Sequence, residues 1–261
     1  MPRVLPETDL EKKLMCMAAV FIEENQRLDD LFDIISSDLD ETPLQELPED
    51  TREHVLAEIA ESFFRLDFIA DPPEDLRAEC IDFLQSLWNV RDHDSALKTL
   101  EEIRKQGHRV KFNVLKGCVS SDGTMSPAAL EKFKNIFTFD MPEDFDMKMS
   151  DDDLRLLGGW MQKTNRFVGE CGILGWDLAR LVHLARLCYV VGYLDNNEAW
   201  NEILKAAPLA VDQFKDWKEF ALSFIIGRTF WAGEEDPKVK KICERLLGHP
   251  ASPWHFFAIN G

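Results

Sequence analysis

The chain lacks most of the marks by which a sequence announces a chemistry. Its six cysteines (Cys16, Cys80, Cys118, Cys171, Cys188 and Cys243) are scattered, and no two form a C-x-x-C pair. Structural zinc needs ligands at short spacings that preorganise a tetrahedral site, so no metal centre is expected, and the apolar neighbourhoods of these cysteines mark them as reduced core residues. No histidines stand in H-x-x-x-H or H-E-x-x-H spacing, which removes a helical metal pair. There is no G-x-G-x-x-G, no G-K-[ST] and no G-x-S-x-G, and Cys118, Ser120, Ser121 and Ser223 have no base at a recognisable spacing. No cofactor is expected. No apolar run approaches the roughly 20 residues that span a bilayer, and the start MPRVLPETDLEKK has none of the parts of a secretion signal. The expectation is a cytoplasmic protein that does not engage a membrane.

Positive charge is the other shortage. Over 261 residues, 48 Asp and Glu face 30 Lys and Arg, a net charge of −18. The imbalance is uneven: residues 1–80 hold 22 acids and 7 bases, and the remaining 181 hold 26 and 23. Such a field repels nucleic acid and anionic membrane and attracts a basic protein surface. Either the acids merely keep a helical surface soluble, or they form a docking face.

What is plentiful is helical periodicity. Apolar residues recur at three- and four-residue steps from Leu10 to Ile35, and again at Val55, Ile59, Phe63 and Leu66. The stretch SSDLDETPLQELPED, with two prolines and six acids, predicts a solvated loop. Pro72–Pro73 stops one helix and opens the next, PEDLRAECIDFLQSLW. A helix follows over about 92–105, with Gly107 as its C-cap residue. RVKFNVL alternates polar and apolar, so a short extended or hairpin segment is expected near 109–125. Ser126, before Pro127, caps another helix. TFDMPEDFDMKMSDDD is a second loop, closed by Ser150 and Asp153 at capping-box spacing. Helices are then expected at about 151–169, 176–193, 195–213, 216–231 and 236–246. The fold class is all-α, a single multi-helix orthogonal array of about ten helices. It divides into an acidic helical region, 1–80, and a helical domain, 81–261, packed as one unit. The apolar tail SPWHFFAING must dock back or meet a partner.

One run concentrates the candidate residues. ILGWDLARLVHLAR, residues 173–186, sets Trp176, Asp177, Arg180, His183 and Arg186 on one helix. The longer run GWDLARLVHLARLCYVVGYLDNNEAWNEI, followed by FKDWKEFALSFIIGRTFWAG, resembles the bacterial family called domain of unknown function 1266. The family pattern is W-D-x-x-R, a G-Y before an acidic turn, W-x-x-F and G-R-x-F-W. It falls here on Trp176, Asp177 and Arg180; Gly192 and Tyr193; Trp217 and Phe220; and Gly227, Arg228, Phe230 and Trp231. Upstream, Trp88, Gly107, His108 and Phe112 match the family's aromatic and G-H positions. The resemblance covers roughly residues 80–235, is densest at its end, and implies no settled activity.

Two readings of these residues compete. In the first, Asp177 starts its helix and pairs with Arg180 at i+3, Trp176 packs, His183 is a hydrogen-bonded packing residue, and an Asp177–Arg228 bridge locks two helices. In the second, Asp177, Arg180 and Arg228 form a cationic pocket for a carboxylate or phosphate, with His108 or His183 moving protons. The aromatics Trp176, Tyr193 and Trp231 are core in the first reading and line a groove in the second. The function expected is a non-enzymatic module whose acidic N-terminal face engages a basic protein, as an inhibitor or immunity protein would. The alternative is an enzyme or small-anion binder built on that pocket.

Overall fold

Residues 3–24, 46–138, 150–249 and 252–260 are described in the computed structural model. Among them there is no strand, and the protein is all-α. The helices are α1 (Asp9–Met17), α2 (Ala19–Glu24), α3 (Glu49–Phe63), α4 (Glu74–Trp88), α5 (His93–Lys105), α6 (Gly107–Lys116) and α7 (Pro127–Thr138). They continue with α8 (Asp151–Val168), α9 (Leu174–Val190), α10 (Asn196–Leu204), α11 (Ala207–Ala210), α12 (Trp217–Ala232), α13 (Pro237–Gly248) and α14 (Pro253–Phe256). The continuation of the first helical pattern to Ile35, most of the first acidic loop, and the second acidic loop up to Met149 lie outside the described residues.

Local chemistry sets most of these boundaries. Thr8 with Glu11, Asp92 with Ser95, Ser150 with Asp153, and Asp195 with Glu198 close reciprocal capping boxes on α1, α5, α8 and α10. Asp216 caps α12 through the Glu219 amide, and the Ser126 hydroxyl accepts from Ala129 at the start of α7. The helix expected over 195–213 is two, because Pro208 has no amide hydrogen and sits in the first turn of a new helix, α11.

The segment expected to be extended near 109–125 is also helical up to Lys116. It buries Phe112 and Leu115, three apart, and leaves Val110 and Val114 on the outside, so the alternation in the sequence is a helix with two apolar residues facing water. The sequence of α6 carries no side-chain cap of its own. Its cap comes from 69 residues away, as described below.

α9 is the axis of the molecule. Every residue from Leu174 to Val190 except Arg180 and Tyr189 is buried. A helix apolar on all sides must be surrounded, and α9 packs against α12, α5, α10, α1, α4, α2 and α6. Gly227 on α12 permits a close approach to α9, since a Cβ there would collide with the Cβ of Trp176. The first helices are part of the same core: Leu14, Met15, Cys16 and Ala18 to Val20 are buried, and α2 packs on α13. The C-terminal tail docks back. Trp254 stacks on Trp217 with ring centroids 5.1 Å apart and donates its Nε1 proton to the Cys16 carbonyl at 2.9 Å.

Candidate functional site

The central candidate, Asp177, is almost wholly buried in the first turn of α9. It does not start that helix. Position N-cap of α9 is Ile173, with no side-chain cap, and Asp177 instead points across to the N-terminus of α6. Its Oδ1 accepts from the His108 amide at 2.9 Å and its Oδ2 from the Arg109 amide at 3.0 Å. These are two of the amides that a helix N-terminus leaves without intrahelical partners, and the positive end of the α6 dipole favours a carboxylate there. The Arg109 guanidinium adds a hydrogen bond from Nη1 to Oδ2 at 3.0 Å, and Arg180 reaches Oδ1 at 3.5 Å. Gly107 makes the approach possible. Its φ of +55° is in the left-handed region, and a Cβ at this position would overlap the Asp177 carboxylate.

Around this clamp the other candidates fall at different distances. Trp176 donates from Nε1 to His108 Nδ1 at 2.9 Å, so His108 carries its proton on Nε2 and is neutral. Burial holds His108 down to about 3, with the Arg180 and Lys111 charges acting in the same sense. Arg180 is stacked between Trp88, at 4.6 Å from the ring centroid, and Trp176, at 5.3 Å. Burial lowers it to about 10 against the opposing pull of Asp177, which leaves it cationic at neutral pH. Burial also pushes the Asp177 carboxyl up, while the two amides and both guanidiniums pull it down. His108, Trp176, Asp177 and Arg180 therefore form one connected unit.

Arg228 is not part of it. The expected Asp177–Arg228 bridge is replaced by an Arg228–Asp236 pair at 3.4 Å, and the guanidinium lies over the Trp231 ring at 4.9 Å. The reason is geometric: Gly227 is the α12 residue that faces Trp176, so its neighbour Arg228 is turned toward the surface, where α13 begins with its cap Asp236. Trp231, 51% exposed, joins the cluster only through its ring, 5.9 Å from that of Trp176. Tyr193 lies in the turn that ends α9, where its amide donates to the Cys188 carbonyl at 2.8 Å.

His183 and Arg186, one and two turns further along α9, make a second buried group. His183 stacks on Phe21 with centroids 4.5 Å apart, and burial and the Arg186 charge hold it down to about 3. The expectation that it is hydrogen-bonded fails at Nδ1, which has no partner among the described residues. Arg186 is fully buried, donates from Nε and Nη2 to the Arg65 carbonyl, and lies under the Phe68 ring at 4.1 Å. Burial lowers it to about 9, opposed by the Asp67 charge. A cation between Ala185 and Leu187 carries the signal that drew attention to Arg228, and here it does mark a buried charge. Arg109 was missed altogether, because its segment reads as extended.

Chemically, the clamp is occupied. Both Asp177 oxygens are taken by donors, His108 Nδ1 accepts from Trp176, and no group of three metal ligands occurs among the described residues. Two clefts, of about 730 and 420 Å³, lie elsewhere; neither is lined by Asp177, Arg180 or Arg228.

The clamp lies within a stretch that matches a known family. The family model described as protein of unknown function (DUF1266) matches residues 83–258. The chain belongs to the DUF1266 family. The match runs from within α4 to the end of α14 and so takes in the whole clamp, α9, α12 and the docked tail, while α1 to α3 lie outside it. A relative, the uncharacterized protein YbeR of Escherichia coli (strain K12), is 21% identical over 174 residues, which is 67% of each chain. No solved structure matches. For a DUF1266 protein, the W-D-x-x-R and G-H motifs have a physical reading here: together they build one interhelical cap, Asp177 on the amides after Gly107, with Trp176 on His108 and Arg180 on Asp177. No helix among the described residues is long and apolar enough to cross a membrane.

Proposed function

We propose that this DUF1266 protein is a non-enzymatic protein-binding module whose acidic N-terminal face engages a basic partner, in the manner of an inhibitor or immunity protein. The observation that carries this reading is the state of the acids on α3 and α4. Glu49, Asp50, Glu53, Glu74, Asp75, Glu79 and Asp82 are exposed. None lies within 4 Å of a basic side chain among the described residues. Several acids elsewhere are paired within the chain, as Glu202 is with Arg104 and Asp151 with Lys134. Glu170, Asp212, Glu234 and Glu235 are exposed and unpaired among the described residues, but dispersed over other segments. Unpaired surface charge of one sign steers a partner of the opposite sign and gives an association that weakens with salt. Of the residues that a catalytic reading would use, Asp177, Arg180 and His108 are engaged where α6 meets α9 and Arg228 pairs with Asp236 away from them, and this also favours a binding role.

The test uses the full chain as bait at low salt, followed by affinity measurements on the recovered protein across a salt series. A basic partner is expected, with affinity falling as salt rises and falling at least about tenfold for a variant carrying Glu49→Lys, Glu53→Lys, Glu79→Lys and Asp82→Lys. A partner that binds this variant as tightly as the unaltered chain overturns the reading.

A further inference from the structure

α4 holds more than charge. Its buried side is Cys80 and Leu84, packed toward α9. On its exposed side, Asp75, Glu79, Asp82 and Ser86 follow one another at three- and four-residue steps and so share a face. Between that row and the buried side lie Phe83 and Leu87, one turn apart, 39% and 60% exposed. A helix edge with two large apolar side chains in water beside a row of unpaired carboxylates has the composition of an interface: an apolar strip with a charged rim. Phe83 is also supported from behind, with its ring edge-on to buried His183 at 6.4 Å. A ring held in place loses little freedom when something settles on it.

We propose that this edge of α4 is the docking seat for an amphipathic, basic helix of a partner protein. The apolar face of the incoming helix covers Phe83 and Leu87, and its Lys and Arg side chains meet Asp75, Glu79 and Asp82. The proposal rests on the binding role argued above and assigns it a surface. The occupant follows from charge complementarity. A second copy would bring two acid rows together, and an anionic membrane or nucleic acid would be repelled by them. The size fits, since the 15 residues of α4 span about 22 Å and offer room for a partner helix of three to four turns.

The probe is a fluorescently labelled synthetic helix of leucine and lysine, with its leucines on one face, and a scrambled peptide of the same composition with the leucines dispersed. Each is titrated against the full chain and two variants, Leu87→Ser and the pair Glu79→Lys with Asp82→Lys, whose folding is checked by circular dichroism. The amphipathic peptide is expected to bind more tightly than the scrambled one. Leu87→Ser should weaken it by about tenfold, as loss of one buried leucine implies, and leave the scrambled peptide unchanged. The double reversal should weaken both peptides. Equal binding of the two peptides, or no effect of Leu87→Ser, overturns the α4 seat while loss of binding in the double reversal keeps the acidic-face reading. No effect of the double reversal overturns both. Failure of the amphipathic peptide to bind the unaltered chain overturns the seat.

Discussion

A single carboxylate, Asp177, has the largest consequences of any side chain described. It sits between two guanidiniums and two helix amides with almost no access to water. Replacing it with alanine strands Arg109 and Arg180, so Asp177→Ala should cost about 3–5 kcal/mol, and Asp177→Asn distinctly less because one oxygen still caps. Urea unfolding followed by circular dichroism gives both values. The histidines act on stability through pH. His108 and His183 titrate near 3 in the folded chain, well below the ordinary value of about 6.5. The unfolded chain therefore takes up protons first, and stability is lost as pH falls from about 6.5 toward 3, by about 1.4 kcal/mol per pH unit for each histidine. His183→Leu should remove one histidine's share of that slope, which a series of unfolding curves between pH 4 and 7 would measure. At this scale the sequence anticipated the Asp177–Arg180 pair, but it also assigned Asp177 to Arg228 where the structure gives it Arg109 and two α6 amides. Asp177, Arg180 and Trp176 stood out because they are polar or bulky within an apolar run. Which cation and which amides they meet depends on how α9 lies against α5, α6 and α12, and neither Arg109 nor Asp236 has a signal that would reveal it.

Among the elements, α6 shows best why some helices are legible and others are not. α5, α8 and α10 announce themselves with capping boxes written within four residues of their starts. α6 has ten residues, a positive-φ glycine at its start and a cap on another helix. Isolated helices of that length are marginal in water. A synthetic peptide of residues 107–116 is expected to be unstructured by circular dichroism. In the intact protein, Asp177→Asn should speed amide exchange in α6 well ahead of α9, whose hydrogen bonds do not depend on that side chain. Equal acceleration in both helices would mean that the carboxylate supports the core generally and not the α6 terminus. The all-α class was legible because apolar residues at helical spacing dominate the chain. The alternation at Val110, Phe112 and Val114 misled because two of the three face solvent.

For the whole molecule, the acidic N-terminal region is more than an appendage to the family-matched part. α1 supplies Leu14, Met15 and Cys16 to the core, and the Arg3 carbonyl accepts hydrogen bonds from Trp200 and Asn196. Trp254 in turn donates to Cys16, so the two ends of the chain close over each other. A fragment limited to residues 83–258 should expose that apolar surface and lose cooperative thermal unfolding, whereas the full chain should melt in one transition. The charge asymmetry was visible from composition. That, among the described residues, α1 contributes to the core while α3 and α4 carry unpaired surface acids was not, since periodicity gives a face but not its neighbour.

The interlock of Gly107, Asp177, Trp176 and Gly227 has a consequence for descent. Each of these residues is the steric or electrostatic condition for another: the glycine at 107 for the carboxylate at 177, and the glycine at 227 for the indole at 176. A lineage cannot exchange one without stress on its counterpart. Among relatives these positions should therefore be inherited as pairs and lost as pairs, so that chains with a side chain at 107 also lack the acid at 177. Aligned relatives that break one half of a pair and keep the other would show that the interlock can be dismantled a piece at a time.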